Sequence, residues 1–151
     1  RTSHTFGNRV RMLKLPLILT DANLYGGAIA NFYWLTKALE KELDKEKENE
    51  VVKKVRALGM QLSAGYEADL KQIFGADWEA AATRARTSAT DAYVATIEKA
   101  DPVQLVAASF ILYGALVIGG GKQTQAKVKR VFPNCEHVLF DVAEDMASAR
   151  S

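Results

Sequence analysis

Apolar residues recur at spacings of three and four along most of this chain, and proline, glycine and capping residues divide the runs. Phe6, Val10, Leu13 and Leu17 form the first such stripe, which predicts an amphipathic helix over 2–15 with His4, Gly7, Asn8 and Arg11 on a separate face. Pro16 is expected to end it, because the residue before a proline is pushed out of the helical region. Thr20-Asp21 offers N-cap chemistry for a second helix, apolar nearly all round in its first half and charged toward 45–50. That helix should begin inside the protein and run out into solvent, its charge run being a solvated end. Val52, Val55, Leu58, Leu62, Tyr66, Leu70 and Phe74 hold helical spacing and predict one returning helix over 51–74, stopped by Gly75.

Asp77 reads as the cap of a short segment containing Trp78, and Ser88-Ala-Thr-Asp91 as a capping box before 92–99. Asp101-Pro102 repeats the start signal with proline at the first helical position. The uncharged run PVQLVAASFILYGALVIGGG follows, and beyond it the basic stretch KQTQAKVKR reaches Phe132-Pro133. With no useful alternating pattern and no internal repeat, the expected fold is all-α, a bundle with short connections between antiparallel neighbours.

At 151 residues the expected organisation is one domain over 1–151. The composition, 48% hydrophobic and 25% charged, is that of a globular protein rather than a disordered one. A formal charge of +2 is too near neutral to argue for a nucleic-acid partner. The single cysteine, Cys135, excludes an internal disulfide and any multi-cysteine metal site and reads as a buried or idle thiol. No basic-then-apolar leader opens the chain, so a targeting segment, if there is one, is expected outside it. The twenty uncharged residues from Pro102 to Gly121 are long enough to span a bilayer. Pro102, Gln104, Ser109 and three consecutive glycines dilute their apolarity, so a buried central helix is the expectation.

Sequence periodicity alone shows no nucleophilic triad order, phosphate-binding loop, dinucleotide fingerprint or zinc spacing. His137 lies beside Cys135 in CEH, but two ligands without a third leave it as a surface or loop histidine. Glu67 and Asp69, two apart on a helix, do not share a face and read as solvated or capping groups. Two features are odd for a purely structural bundle. Gly119-Gly120-Gly121 follows an apolar helix, where each glycine costs on the order of 1 kcal/mol relative to alanine; either the chain reverses there or bare backbone is needed against a flat ligand. His4 stands one turn from the small Gly7, as an exposed terminal imidazole or as a metal ligand with a gap beside it.

Taken together, four segments resemble the haem oxygenase family, particularly its eukaryotic, fungal-like branch. RTSHTFGNRVRMLKLPLILTD is similar to the proximal helix, FYWLTKALEKEL to the second helix of aromatics followed by an acidic run, and PVQLVAASFILYGALVIGG to the distal helix. YEADLKQIFGADWE fits the E-x-D-L-x-x-x-x-G-x-x-W pattern through Glu67, Asp69, Leu70, Gly75 and Trp78.

The resemblance implies a haem clamped between two helices, serving as cofactor and substrate together. O2 and electrons from NADPH, through a partner reductase or ferredoxin, would open the ring to biliverdin, CO and iron. It implies His4 as axial ligand to the iron, Gly7 as the residue letting the proximal helix approach, and Arg1 as a cation for a haem propionate. Asn8 stands where many members carry a glutamate that orients the histidine, and would do so less strongly. Phe110, Ala115, Ile118, Gly119 and Gly120 would line the haem and oxygen pocket, with Gly119 and Gly120 shaping oxygen geometry. At Leu116 many members place an aspartate that orders water for proton delivery, a task leucine cannot perform. Lys127, Lys129 and Arg130 would serve an acidic electron donor or simply be a solvated helix face. The end at LFDVAEDMASARS is similar to the segment before the family's later helices, so those helices are expected to be missing here, and a membrane anchor, where relatives have one, would lie outside this chain. An intracellular, ER-associated or organellar setting is the corresponding expectation. A non-catalytic member that binds haem or another tetrapyrrole, or a scaffold, remains the alternative.

Overall fold

A computed structural model of the chain describes residues 14, 16–60, 62–117 and 120–142, without the side chains of Ala115 and Val117. Among them every regular element is helical: α1 (Ala22–Lys45), α2 (Glu50–Arg56), α3 (Ser63–Phe74), α4 (Trp78–Arg84), α5 (Ser88–Ile97), α6 (Pro102–Val117) and α7 (Gly121–Val131), with 3-10 turns at Gly75–Asp77 and Val138–Phe140. The expected all-α class holds.

Most start signals act as their chemistry demands. Asp21 accepts from the N–H groups of Asn23 and Leu24 at 2.7 and 3.1 Å. Asp101 accepts from Gln104 N–H at 2.8 Å while the Gln104 side chain accepts from Asp101 N–H at 3.0 Å, a reciprocal cap ahead of the N1 proline. The cap of α5 is one residue earlier than expected: Thr87, not Ser88, accepts from Thr90 N–H. Asp77 precedes α4 without a side-chain cap bond. Helical backbone at 16–18 moves the stop past Pro16, and Thr20 closes the turn on the Leu17 carbonyl. The single returning helix expected over 51–74 is two, α2 and α3. Gly59 between them adopts φ +63°, a left-handed conformation that a continuous helix cannot contain. Leu58, expected on the apolar stripe, is consequently exposed.

Helix α1 is the hub, with α3, α4, α5 and α6 all packed on it, and α2 lies on α6. Its buried residues Tyr25, Ile29, Tyr33, Thr36, Leu39 and Leu43 recur at three and four, as one helix face must. Polar pins fix the neighbours. Asn31 donates to the carbonyls of Gly27 and Ala85 and accepts from Thr87 N–H and the Thr90 hydroxyl, tying α1 to the start of α5. Trp34 Nε1 donates to the Ala82 carbonyl at 3.0 Å. Glu40 accepts from Leu62 N–H, Ser63 N–H and the Ser63 hydroxyl. It caps α3 from another helix where Leu62 offers no side-chain acceptor.

Candidate functional site

Helix α6 has two unlike faces. Leu105, Ala108, Ser109, Leu112 and Tyr113 are buried, whereas Val103, Phe110 and Ile111 are 67%, 71% and 61% exposed. A soluble helix ordinarily turns charge to water, yet no residue of α6 carries one. The buried central helix expected from the sequence is therefore half-buried. No helix among the described residues is long and apolar enough to cross a membrane.

Gly114 sits on the same outer face, one turn beyond Phe110 and Ile111. Among the described residues, a Cβ there would meet only the Phe110 ring, at 3.9 Å. Packing against the described residues does not require glycine at this position, although glycine costs a helix about 1 kcal/mol relative to alanine. Bare backbone beside two large exposed apolar side chains makes a strip on which a flat apolar ligand can lie close to the helix axis. Sequence reasoning passed over Gly114 because a lone glycine in an apolar run has no signature of its own; its significance is the open space around it.

The glycine run after α6 resolves differently. Gly120 takes φ +88° as the residue before α7, and a Cβ on Gly121 would lie against the Leu116 carbonyl oxygen and 3.1 Å from its carbon. Both glycines are thus required by the tight reversal from α6 to α7. Gly119 and Ile118 lie outside the described residues, as do the expected proximal residues Arg1, His4, Gly7 and Asn8. Of the expected pocket residues, Phe110 is on the outer face, Gly120 is at the turn, and Ala115 is within α6. Leu116 is half-buried and packs against the core.

Tyr113 points the other way, into a cavity of about 390 Å³ lined also by Glu40, Asp44, Arg56, Met60 and Ser63. Burial lifts its phenol above the ordinary value, the nearby Glu40 charge adding to the rise. A chamber with these charged walls suits water, not a wide apolar ring. On α7, Lys127, Lys129 and Arg130 are exposed, and Lys122 pairs with Asp141.

The acidic motif of α3 has a structural role. Glu67 accepts from the Tyr33 hydroxyl at 2.8 Å. Asp69, fully buried, accepts from the N–H groups of Val138 and Leu139, both at 2.9 Å. Capping was one of the roles expected for it. Burial raises its carboxyl above the usual range, and those two N–H bonds oppose the rise. Gly75 ends α3 at φ +71°, and Trp78 packs edge-on to Tyr33 with centroids 5.7 Å apart. His137 is in a loop, one of the two places expected for it, but it is fully buried rather than at the surface, at φ +55°. Its Nδ1 lies 3.3 Å from the Tyr25 hydroxyl and its Nε2 2.9 Å from the Phe132 carbonyl.

The described residues form an all-helical bundle in which α6 turns an uncharged, partly bare face outward, and this defines the class as all-α. More specifically, the chain belongs to the haem oxygenase family, whose profile, described as "Heme oxygenase", matches residues 1–140. It is 27% identical over 124 residues to "Heme oxygenase 1" of Nostoc sp., covering 80% of this chain and 51% of that protein. Against "Heme oxygenase" of Guillardia theta it is 28% identical over 122 residues, covering 78% of this chain and 51% of the relative. The chain thus spans about half the length of these two relatives. The crystal structure of heme oxygenase 2 from Chlamydomonas reinhardtii without heme superposes with a TM-score of 0.89 at 24% identity, covering 99% of this chain and 74% of that one. That likeness shows the shared fold.

Proposed function

We propose that this chain seats haem on the outer face of α6 and opens it, with O2 and electrons from a reductase, to biliverdin, CO and iron. The observation that carries the reading is the strip of Val103, Phe110, Ile111 and Gly114, apolar and open to the outside. Covering side chains of that size contributes about 1.5–3 kcal/mol each when burial is complete, which a porphyrin can supply without hydrogen bonds from the helix.

Haem when bound would supply both the redox iron and the ring that is cleaved. The chain's own residues would bind and orient it. His4 is the proposed axial ligand, Arg1 the cation for a propionate and Gly7 the point of close approach on the proximal side, with Asn8 accepting from the imidazole N–H. Ala115, Ile118, Gly119 and Gly120 would border the oxygen side, where the reversal before α7 holds backbone rather than side chain near the ligand. Lys127, Lys129 and Arg130 on α7 would offer an acidic electron donor, a reductase drawing on NADPH or a ferredoxin, a basic docking surface.

Reconstitution tests the activity. Haem is added, the Soret and visible bands are recorded, and reductase with NADPH is then supplied. Loss of the Soret band with growth of biliverdin absorbance is the expected result. A haem spectrum that stays unchanged after reductant would instead establish the second reading, a haem- or tetrapyrrole-binding member without turnover. Leu116 favours that second reading: half-buried against the core, it can neither donate a proton nor order water.

A further inference from the structure

Away from α6, one buried junction gathers three metal-ligating side chains that the haem reading leaves unused. Asp69 on α3 and Cys135 and His137 in the segment after α7 are all buried, and one ligand atom of each lies within 4.8 Å of the others. The Cys135 Sγ is 3.8 Å from Asp69 Oδ1. Tetrahedral zinc, with Zn–S near ~2.3 Å and Zn–O near ~2.0 Å, requires an S···O edge of about 3.5 Å. The pair is already close to that spacing.

The imidazole is oriented for the same task. A backbone carbonyl can only accept, so the 2.9 Å contact to Phe132 puts the proton of His137 on Nε2 and leaves the lone pair on Nδ1. Ligating histidines are held this way, the second nitrogen donating to a carbonyl or carboxylate. Without a metal that lone pair accepts from the Tyr25 hydroxyl at 3.3 Å, a long contact that an incoming ion would displace. Each Asp69 oxygen takes one backbone N–H, and a carboxylate oxygen has a second lone-pair site free. No lysine, arginine or histidine among the described residues forms an ion pair with this buried carboxylate. The thiol itself has only long contacts, to Asp69 Oδ1 and to the Asp69 carbonyl at 4.0 Å.

The geometry points to a structural site for a divalent transition metal, Zn2+ by ligand type, held by Asp69 Oδ1, Cys135 Sγ and His137 Nδ1. One thiolate and one carboxylate would cancel the charge of the ion in a buried place, with the thiol proton released to solvent on binding. Sulfur and imidazole donors select against Ca2+ and Mg2+, which take oxygen. The ion would lock the 131–142 segment onto α3. This site is independent of haem and of His4.

Co2+ titration of the reduced, haem-free full chain tests it, because thiolate-to-cobalt charge transfer and tetrahedral d–d bands report sulfur ligation directly. One equivalent should bind and be displaced by Zn2+. Cys135→Ser should abolish the charge-transfer band, His137→Gln should weaken binding at least tenfold, and His4→Ala should leave both unchanged. A folded wild-type chain that shows no such band overturns the site, as does a band that survives in Cys135→Ser and His137→Gln. Should those variants fail to fold, the wild-type protein still decides: Cys135 is the only cysteine, so Zn2+ should slow its alkylation at least tenfold, and an unchanged rate overturns the proposal.

Discussion

The Asp69 junction and the outer face of α6 are built on opposite principles. At the junction buried polar groups hold one another and the backbone: Asp69 accepts from two N–H groups of the 138–140 turn, Gln125 donates to the His137 carbonyl at 2.9 Å, and both His137 ring nitrogens have hydrogen-bond partners. On α6 the residues are apolar, exposed and partnered by little of the described protein. One region spends its chemistry on holding the fold and the other withholds contact from it. Substitutions should therefore divide cleanly, with the first region affecting stability and the second affecting haem.

The largest expected effect is at Asp69. Asp69→Ala strips two buried N–H groups of their acceptor and should cost about 2–5 kcal/mol, read as a lower urea midpoint. Gly121→Ala comes next at roughly 1–3 kcal/mol, since its methyl group must push the Leu116 carbonyl aside. On α6 the sign reverses. Gly114→Ala should stabilise the haem-free protein by about 0.5–1 kcal/mol through helix propensity, while Gly114→Leu should weaken haem on the order of tenfold. A Gly114→Leu variant that binds haem like the wild type would remove the strip from the account.

The smallest effect is alkaline. Burial pushes the Cys135 thiol from 9.0 up to about 11 and lifts the phenols of Tyr25, Tyr66 and Tyr113. These groups are protonated in the fold and titrate sooner once unfolded. Their contribution is whole below about pH 9 and is lost as pH rises through the folded values. Melting temperature should fall across that window, and Cys135→Ala should remove the part that begins near pH 9.

The distinction between the two regions also explains what the sequence could reveal. Helical periodicity and caps such as Asp21 and Asp101-Pro102 act within a few residues, so they were legible. The break at Gly59 was not, because a single glycine inside an apolar stripe is compatible with helix until a neighbour forces a turn. The meaning of Asp69 depends on partners 69 and 70 residues on, and that of His137 in part on Tyr25, 112 residues before it, contacts that no local spacing encodes. The α3 motif that carried the family resemblance proved to be a structural staple through Glu67, Asp69, Gly75 and Trp78. The candidate site was legible as a helix, but its outward direction was not. Apolarity alone cannot tell a helix face turned to the core from one turned outward. The structure separated those cases through exposure, and it separated the glycines through space: Gly120 and Gly121 belong to the turn, Gly114 to the open face.

Haem titration of the wild-type chain beside His4→Ala and Phe110→Glu tests the central claim most directly. The account predicts one equivalent of haem with a sharpened Soret band in the wild type, an altered ferric spectrum in His4→Ala, and affinity lowered at least tenfold in Phe110→Glu without loss of melting temperature. Identical spectra and affinities in all three proteins would contradict it.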